Sequence, residues 1–167
     1  MRRRERIESD GRKSNVSNSE WQVVADVAVG NIEAGRTIFF HNKSACTSCH
    51  RIGKEGGNVG PDLTTIGAIR ETRDLLESVV LPSSSFARGF RPYIIVTTDG
   101  KIHTGVMTRE STEALTLRTA TLAEIHIPRA EIDELRESPT SIMPQGLETR
   151  LSETELRDLL AYLKSLK

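Results

Sequence analysis

Two cysteines two residues apart, followed at once by a histidine, constrain this chain more than any other feature: Cys46-Thr47-Ser48-Cys49-His50. They are the only two cysteines in 167 residues. A helical turn begun at Cys46 puts both sulfurs on one side of the backbone, and the imidazole that follows is carried over the same side. Two thioether bonds holding a porphyrin, with the histidine on its iron, need that arrangement, and the pentad is the attachment signature of a c-type haem. Three other readings compete. A structural zinc site needs four ligands, usually from two such pairs, and His41, His103 and His126 stand at no finger spacing. A thioredoxin-like redox pair should open a helix directly after a strand, and Ile38-Phe39-Phe40-His41 is too short and ambiguous to supply one. A five-residue pattern also arises by chance, so the flanks must decide.

A chain of this length suits one domain, or one domain with an insertion, and can bury a sizeable core. Its 23 basic and 23 acidic residues cancel, which argues against a nucleic-acid or polyanion binder. The low aromatic content, 4%, is compatible with a macrocycle filling part of the core. No apolar run is long enough to cross a membrane. Met1-Arg2-Arg3-Arg4-Glu5-Arg6 resembles the basic start of a secretion signal, but polar residues continue through Asn18 where an apolar segment should follow. Covalent haem attachment takes place outside the cytoplasm. The expected location is therefore periplasmic or otherwise extracytoplasmic, and the chain reads as a piece of a longer exported protein, or as one whose signal has been replaced.

Residues 1–20 mix charged and polar types without periodicity and read as a flexible tail or linker, with Arg2 to Arg6 as a docking patch in a minority reading. Order is expected from Trp21, with Val23, Val24 and Val27 at helical spacing. Asn31 caps a helix over residues 32–41, in which Gly35 and Phe39 share a face that wants another helix. The glycine-rich stretch from Arg51 to Leu63 reads as a loop around the haem edge, and a backbone carbonyl near Pro61 is placed to accept the Nδ1 proton of His50. Thr72 is read as the cap of a helix with Leu75, Leu76, Val79 and Val80 on one face, stopped by Pro82.

From Tyr93 the period changes to two. Residues 93–98 and 101–107 read as a hairpin around Asp99-Gly100, a type I′ signal, and residues 114–118 and 124–127 as two further strands, with Ile132 and Leu135 in a last extended piece. The unit reads as a compact antiparallel assembly of the small-barrel kind, with His103 and His126 on solvent-facing strand positions. The chain then returns to helix: Ser152-Glu153-Thr154-Glu155 is a capping box, Leu151 and Leu156 form a hydrophobic staple, and Leu156, Leu159, Leu160, Leu163 and Leu166 make an apolar stripe suited to the Gly35/Phe39 face. Met143, in the loop Ser141-Ile142-Met143-Pro144-Gln145-Gly146-Leu147, is the candidate second iron ligand; Met107, on a strand, reads as packing.

The order of Gly35 and Phe39, the Cys-x-x-Cys-His pentad, Gly60-Pro61-Asp62-Leu63, a middle helix, a methionine loop and Asp158-Leu159-Leu160-Ala161-Tyr162-Leu163 resembles a class I cytochrome c. From Trp21 to the C-terminus it is more closely similar to the haem-binding domain of planctomycete and verrucomicrobial proteins, which carries an insertion before Ser-x-Met-Pro-x-Gly-Leu. The resemblance implies a mainly α fold: a cytochrome c core of residues 21–90 with 139–167, and an inserted small antiparallel β subdomain of residues 91–138. It implies one covalently attached haem c, with Cys46 and Cys49 as anchors and His50 and Met143 as axial ligands. It also implies a place at the end of very large exported proteins, behind a propeller-type dehydrogenase domain or helical repeats.

The expected function is electron transfer rather than catalysis. The donor would be a dehydrogenase on the same or a partner chain, and the acceptor another cytochrome or an oxidase. The alternative is a haem enzyme or gas sensor in which Met143 is labile; it needs an acid–base group above the iron, for which His41, His103 and His126 are the only obvious candidates. A non-haem interaction module built on the strands is a third reading.

Overall fold

The computed structural model describes residues 27–41 and 45–167. The expectations for residues 1–20, and for Trp21, Val23 and Val24, lie outside the described residues. After a short 3-10 turn at Val27–Val29 comes helix α1, Ile32–Phe40. Its cap is Asn31, whose side chain accepts from the Ala34 amide at 3.0 Å. A single helical turn, α2, spans Cys46–Cys49. It leads into a tight ribbon of β1, Arg51–Ile52, against β2, Glu55–Gly56. Two helices follow: α3, Ile66–Ile69, and α4, Thr72–Val80. Thr72 is the first residue inside α4 and the cap position is Glu71. Leu75, Leu76, Val79 and Val80 form the buried face of α4.

Helix α5, Glu153–Ser165, ends the chain and carries the capping box in full, with Ser152 Oγ accepting from the Glu155 amide and Glu155 Oε2 from the Ser152 amide. Its leucine stripe meets α1 where Gly35 sits: a Cβ there would lie 1.9 Å from the Asp158 carbonyl oxygen and 2.7 Å from Tyr162 Cβ. Only a residue without a side chain allows the two backbones so close. Phe39 packs beside Tyr162 with ring centroids 6.0 Å apart, and the Asn31 amide donates to Asp158 Oδ1 at 2.8 Å. One apolar core joins α1, α4 and α5, with Cys46, Leu63, Met143 and Leu151 against its margin.

Between α4 and α5 the chain forms five antiparallel strands: β3, Pro92–Thr97; β4, Ile102–Glu110; β5, Ala114–Arg118; β6, Glu124–Pro128; and β7, Ile132–Glu137. Their spatial order is β6-β5-β4-β3-β7. They bury a second core of Ile95, Leu115, Leu117 and Ile127, against which Tyr93, Met107, Ile125 and Ile132 pack. The sheet is open, because β6 and β7 are its two edges rather than hydrogen-bonded neighbours.

These strands overturn the expectation of a mainly α chain: among the described residues 35% are helical and 25% are in strands. The long strand β4, kept paired to β5 past a bulge between Met107 and Arg109, and the last piece, which is a full strand on β3, give the sheet a weight comparable to the helices. The first hairpin also differs from expectation. Asp99 does not have the positive φ that a type I′ turn requires, whereas Gly100 has φ 81°. The loop is Thr98-Asp99-Gly100, closed by Gly100 N–H to the Thr97 carbonyl at 2.7 Å and Thr97 N–H to the Lys101 carbonyl at 2.9 Å.

Candidate functional site

The Cys-x-x-Cys-His segment is shaped by its own backbone. Ala45 takes a left-handed conformation, φ 54° and ψ 18°, which starts the turn abruptly, and the His50 amide closes it on the Cys46 carbonyl at 2.9 Å. Both cysteines are half-buried and neither is in a disulfide. Burial pushes the Cys49 thiol up from its ordinary value.

The loop after His50 is laced back onto that turn. Gly57 N–H donates to the Thr47 carbonyl at 2.7 Å, and the amides of Val59 and Gly60 both donate to the Cys49 carbonyl, at 3.1 and 2.9 Å. So held, the loop brings the Pro61 carbonyl oxygen to 2.8 Å from His50 Nδ1. A carbonyl only accepts, so Nδ1 carries the proton and Nε2 keeps its lone pair. Burial holds His50 below its ordinary pKa, against the opposite pull of the Pro61 carbonyl, which keeps the imidazole neutral. Gly60 lies flat against the ring, where a Cβ would come 2.5 Å from Cε1. Beyond Pro61 the loop is pinned by Asp62, which accepts from Arg51 at 2.6 and 3.1 Å and from the Thr64 amide at 2.9 Å. The Thr64 hydroxyl and amide and the Arg51 guanidinium hold this exposed carboxyl down at about 2.

Met143 is half-buried and packs against the same helical core as Cys46. Its loop is fixed by two serines: the Met143 amide donates to Ser141 Oγ at 3.1 Å, and the Ser141 amide to Ser83 Oγ, just beyond α4, at 3.0 Å. The other histidines stand apart from this constellation. His41 is exposed at the end of α1, His103 is half-exposed on β4, and His126 is exposed on β6 with its Nδ1 3.2 Å from Thr116 Oγ1. Among the described residues, no three His, Cys, Asp or Glu side chains gather as a metal-binding group.

A neutral imidazole with its distal nitrogen unprotonated and its other nitrogen tied to a carbonyl is the donor an iron needs. Two thiols on the same turn, at Cys46 and Cys49, fit the attachment of a haem beside that imidazole. Residues 32–93 match the family model for cytochrome c. A cytochrome c domain is present over that stretch. Its cofactor is covalently bound haem c with iron, and it is an electron-transfer haem protein that works with redox partners. Cytochrome c domains are typically extracytoplasmic. No helix among the described residues is long and apolar enough to cross a membrane. No curated protein matches the chain.

Two contacts of this cytochrome c domain escaped the sequence reading. The Asp62–Arg51–Thr64 clasp had a local signal, since an aspartate two residues before a threonine favours an Asx turn. The bond from Arg118 on β5 to Asn58 in the haem loop had none, because it joins residues 60 apart.

Proposed function

We propose that this is a single-haem electron carrier in which Cys46 and Cys49 anchor the haem, and His50 and Met143 ligate the iron from its two sides. The observation that carries the reading is the 2.8 Å bond between His50 Nδ1 and the Pro61 carbonyl, which leaves Nε2 as the donor and makes it more basic. Haem c supplies a one-electron change at iron. His50 and Met143 would hold the iron so that no substrate binds, and the protein would keep both side chains still between oxidation states. A thioether paired with an imidazole on the iron would favour the reduced state.

In this reading the cytochrome core is residues 21–90 with 139–167, and residues 91–138 are an inserted β subdomain of the planctomycete and verrucomicrobial type. The family match supports the division by ending at residue 93, as β3 begins. The α1–α5 crossing supports it from the other side. Electrons arrive from a dehydrogenase on the same or a partner chain and leave to another cytochrome or an oxidase, in the periplasm or an equivalent compartment.

The test is Met143→Ala in protein matured with haem. The weak long-wavelength absorption of the iron–sulfur bond is expected to disappear, and carbon monoxide is expected to bind the variant quickly but the parent hardly at all. Rapid carbon monoxide binding by the parent would overturn the proposal and favour a haem enzyme or sensor.

A further inference from the structure

Arg118 closes β5 directly opposite Glu124 on β6, and one arm of its guanidinium pairs with that carboxylate. The other arm leaves the sheet. Its Nη1 donates to both oxygens of Asn58, the side-chain Oδ1 at 2.6 Å and the backbone carbonyl at 3.1 Å. The Arg118 side chain is only 19% exposed, unlike most ion-paired residues on this surface. Its planar fork is thus fixed at one end by its own hairpin and grips a single residue of the haem loop with charge-assisted bonds.

Asn58 is well placed to transmit that grip. It lies between Gly57 and Val59, whose amides, with that of Gly60, tie the loop to the carbonyls of Thr47 and Cys49. Gly60 in turn abuts the His50 ring, and the next residue supplies the carbonyl that orients it. A push on Asn58 therefore reaches the imidazole through a short run of backbone with no slack.

We propose that the β-sheet braces the axial-ligand loop, and that Arg118 is the positioning residue through which it does so. The redox consequence rests on His50 being an iron ligand; the brace itself does not. Loss of a charged hydrogen bond of this kind is worth about one order of magnitude in local opening.

The experiment compares the haem-loaded parent with Arg118→Ala, Arg118→Lys and Glu124→Gln, by amide hydrogen exchange and by potentiometric titration. In Arg118→Ala the amides of Gly57, Val59 and Gly60 are expected to exchange about tenfold faster while those of α1 and α5 keep their rates. The midpoint potential is expected to move, and Arg118→Lys to return both readouts part-way. Unchanged exchange at the three amides overturns the brace; faster exchange with an unmoved midpoint supports the brace and overturns its redox consequence. If Arg118→Ala does not accumulate, Glu124→Gln decides: it takes the charge out of the fork's anchor on the hairpin and weakens it, so a smaller acceleration at the same three amides supports the brace and none overturns it. A His50→Ala variant that kept the parent's haem spectrum would remove His50 from the iron, yet exchange at the three amides would still decide the brace.

Discussion

Gly60→Ala tests the orientation of the proposed axial imidazole with the least collateral change. A Cβ at this position would stand 2.5 Å from Cε1, 2.7 Å from Nδ1 and 3.0 Å from Nε2 of His50. Non-bonded carbons settle at about 3.5 Å or more, so ring or loop must give by about 1 Å. The loop is the stiffer of the two, since the Gly60 amide is bonded to the Cys49 carbonyl at 2.9 Å. The ring therefore swings, and its 2.8 Å bond to Pro61 stretches beyond hydrogen-bonding range. Gly60 is not among the glycines with positive φ, so alanine adds no backbone strain of its own.

Removing the partner of a metal-bound histidine costs about 10- to 100-fold in metal affinity. A proton competes with iron for the same nitrogen. An imidazole held that much more weakly should therefore leave the iron at a pH about one to two units higher than in the parent. The assay is an acid titration of the haem absorbance, run beside far-ultraviolet circular dichroism so that ligand loss is read where the helices are intact. An acid transition at the parent's pH, with the haem still attached, would refute the chain of reasoning from Gly60 to His50.

Gly35→Ala should weaken the α1–α5 crossing. A methyl driven into the Asp158 carbonyl costs at least the upper part of the usual overpacking range, about 3 kcal/mol, against about 1 kcal/mol gained in helix propensity, so the melting temperature should fall by about 5 °C; an unchanged melting curve would contradict the crossing. Asp62→Asn should flatten the acid limb of stability. The Asp62 carboxyl sits at about 2 in the folded chain against an ordinary 3.8, so the folded state binds fewer protons between those values, and its contribution is complete above 3.8 and lost as pH falls toward 2. Thermal melts across that range check the slope, and equal slopes for variant and parent would remove Asp62 from the loop's support.

Much of this architecture was legible where the determinants are local. The Asn31 cap, the Ser152 capping box and the buried face of α4 each follow from residues within a few positions of one another, and the distant pairing of Gly35 with the α5 stripe could be matched because each of the two faces shows at its own helical spacing. The placement of the Pro61 carbonyl against His50 was also readable, because a Gly-Pro turn eleven residues on leaves the chain little choice of return path. What failed was balance and detail. The mainly α expectation weighed the strands as an appendage, although period-two patterning was visible from Tyr93 onward and only the lengths of β4 and β7 depend on cross-strand partners. The three-residue turn at Gly100 and the cap at Glu71 were decided by hydrogen bonding that residue type alone does not specify.

The ends of the sheet explain how so large a β unit can sit within a helical frame. The Ser138 amide donates to the Pro92 carbonyl at 2.8 Å, and Tyr93 pairs with Glu137, so the chain enters β3 and leaves β7 side by side. A unit whose two ends meet imposes almost no separation on the elements it interrupts, which leaves α5 free to cross α1 as if the strands were absent. The return is then referenced to the helices, because Ser141 is bonded to Ser83 before Met143 is reached. Met143 thus takes its position from α4 rather than from the sheet, while the loop bearing Pro61 is touched by the sheet through Arg118. The strands act on the proposed His50 side of the iron, and the helices set the Met143 side.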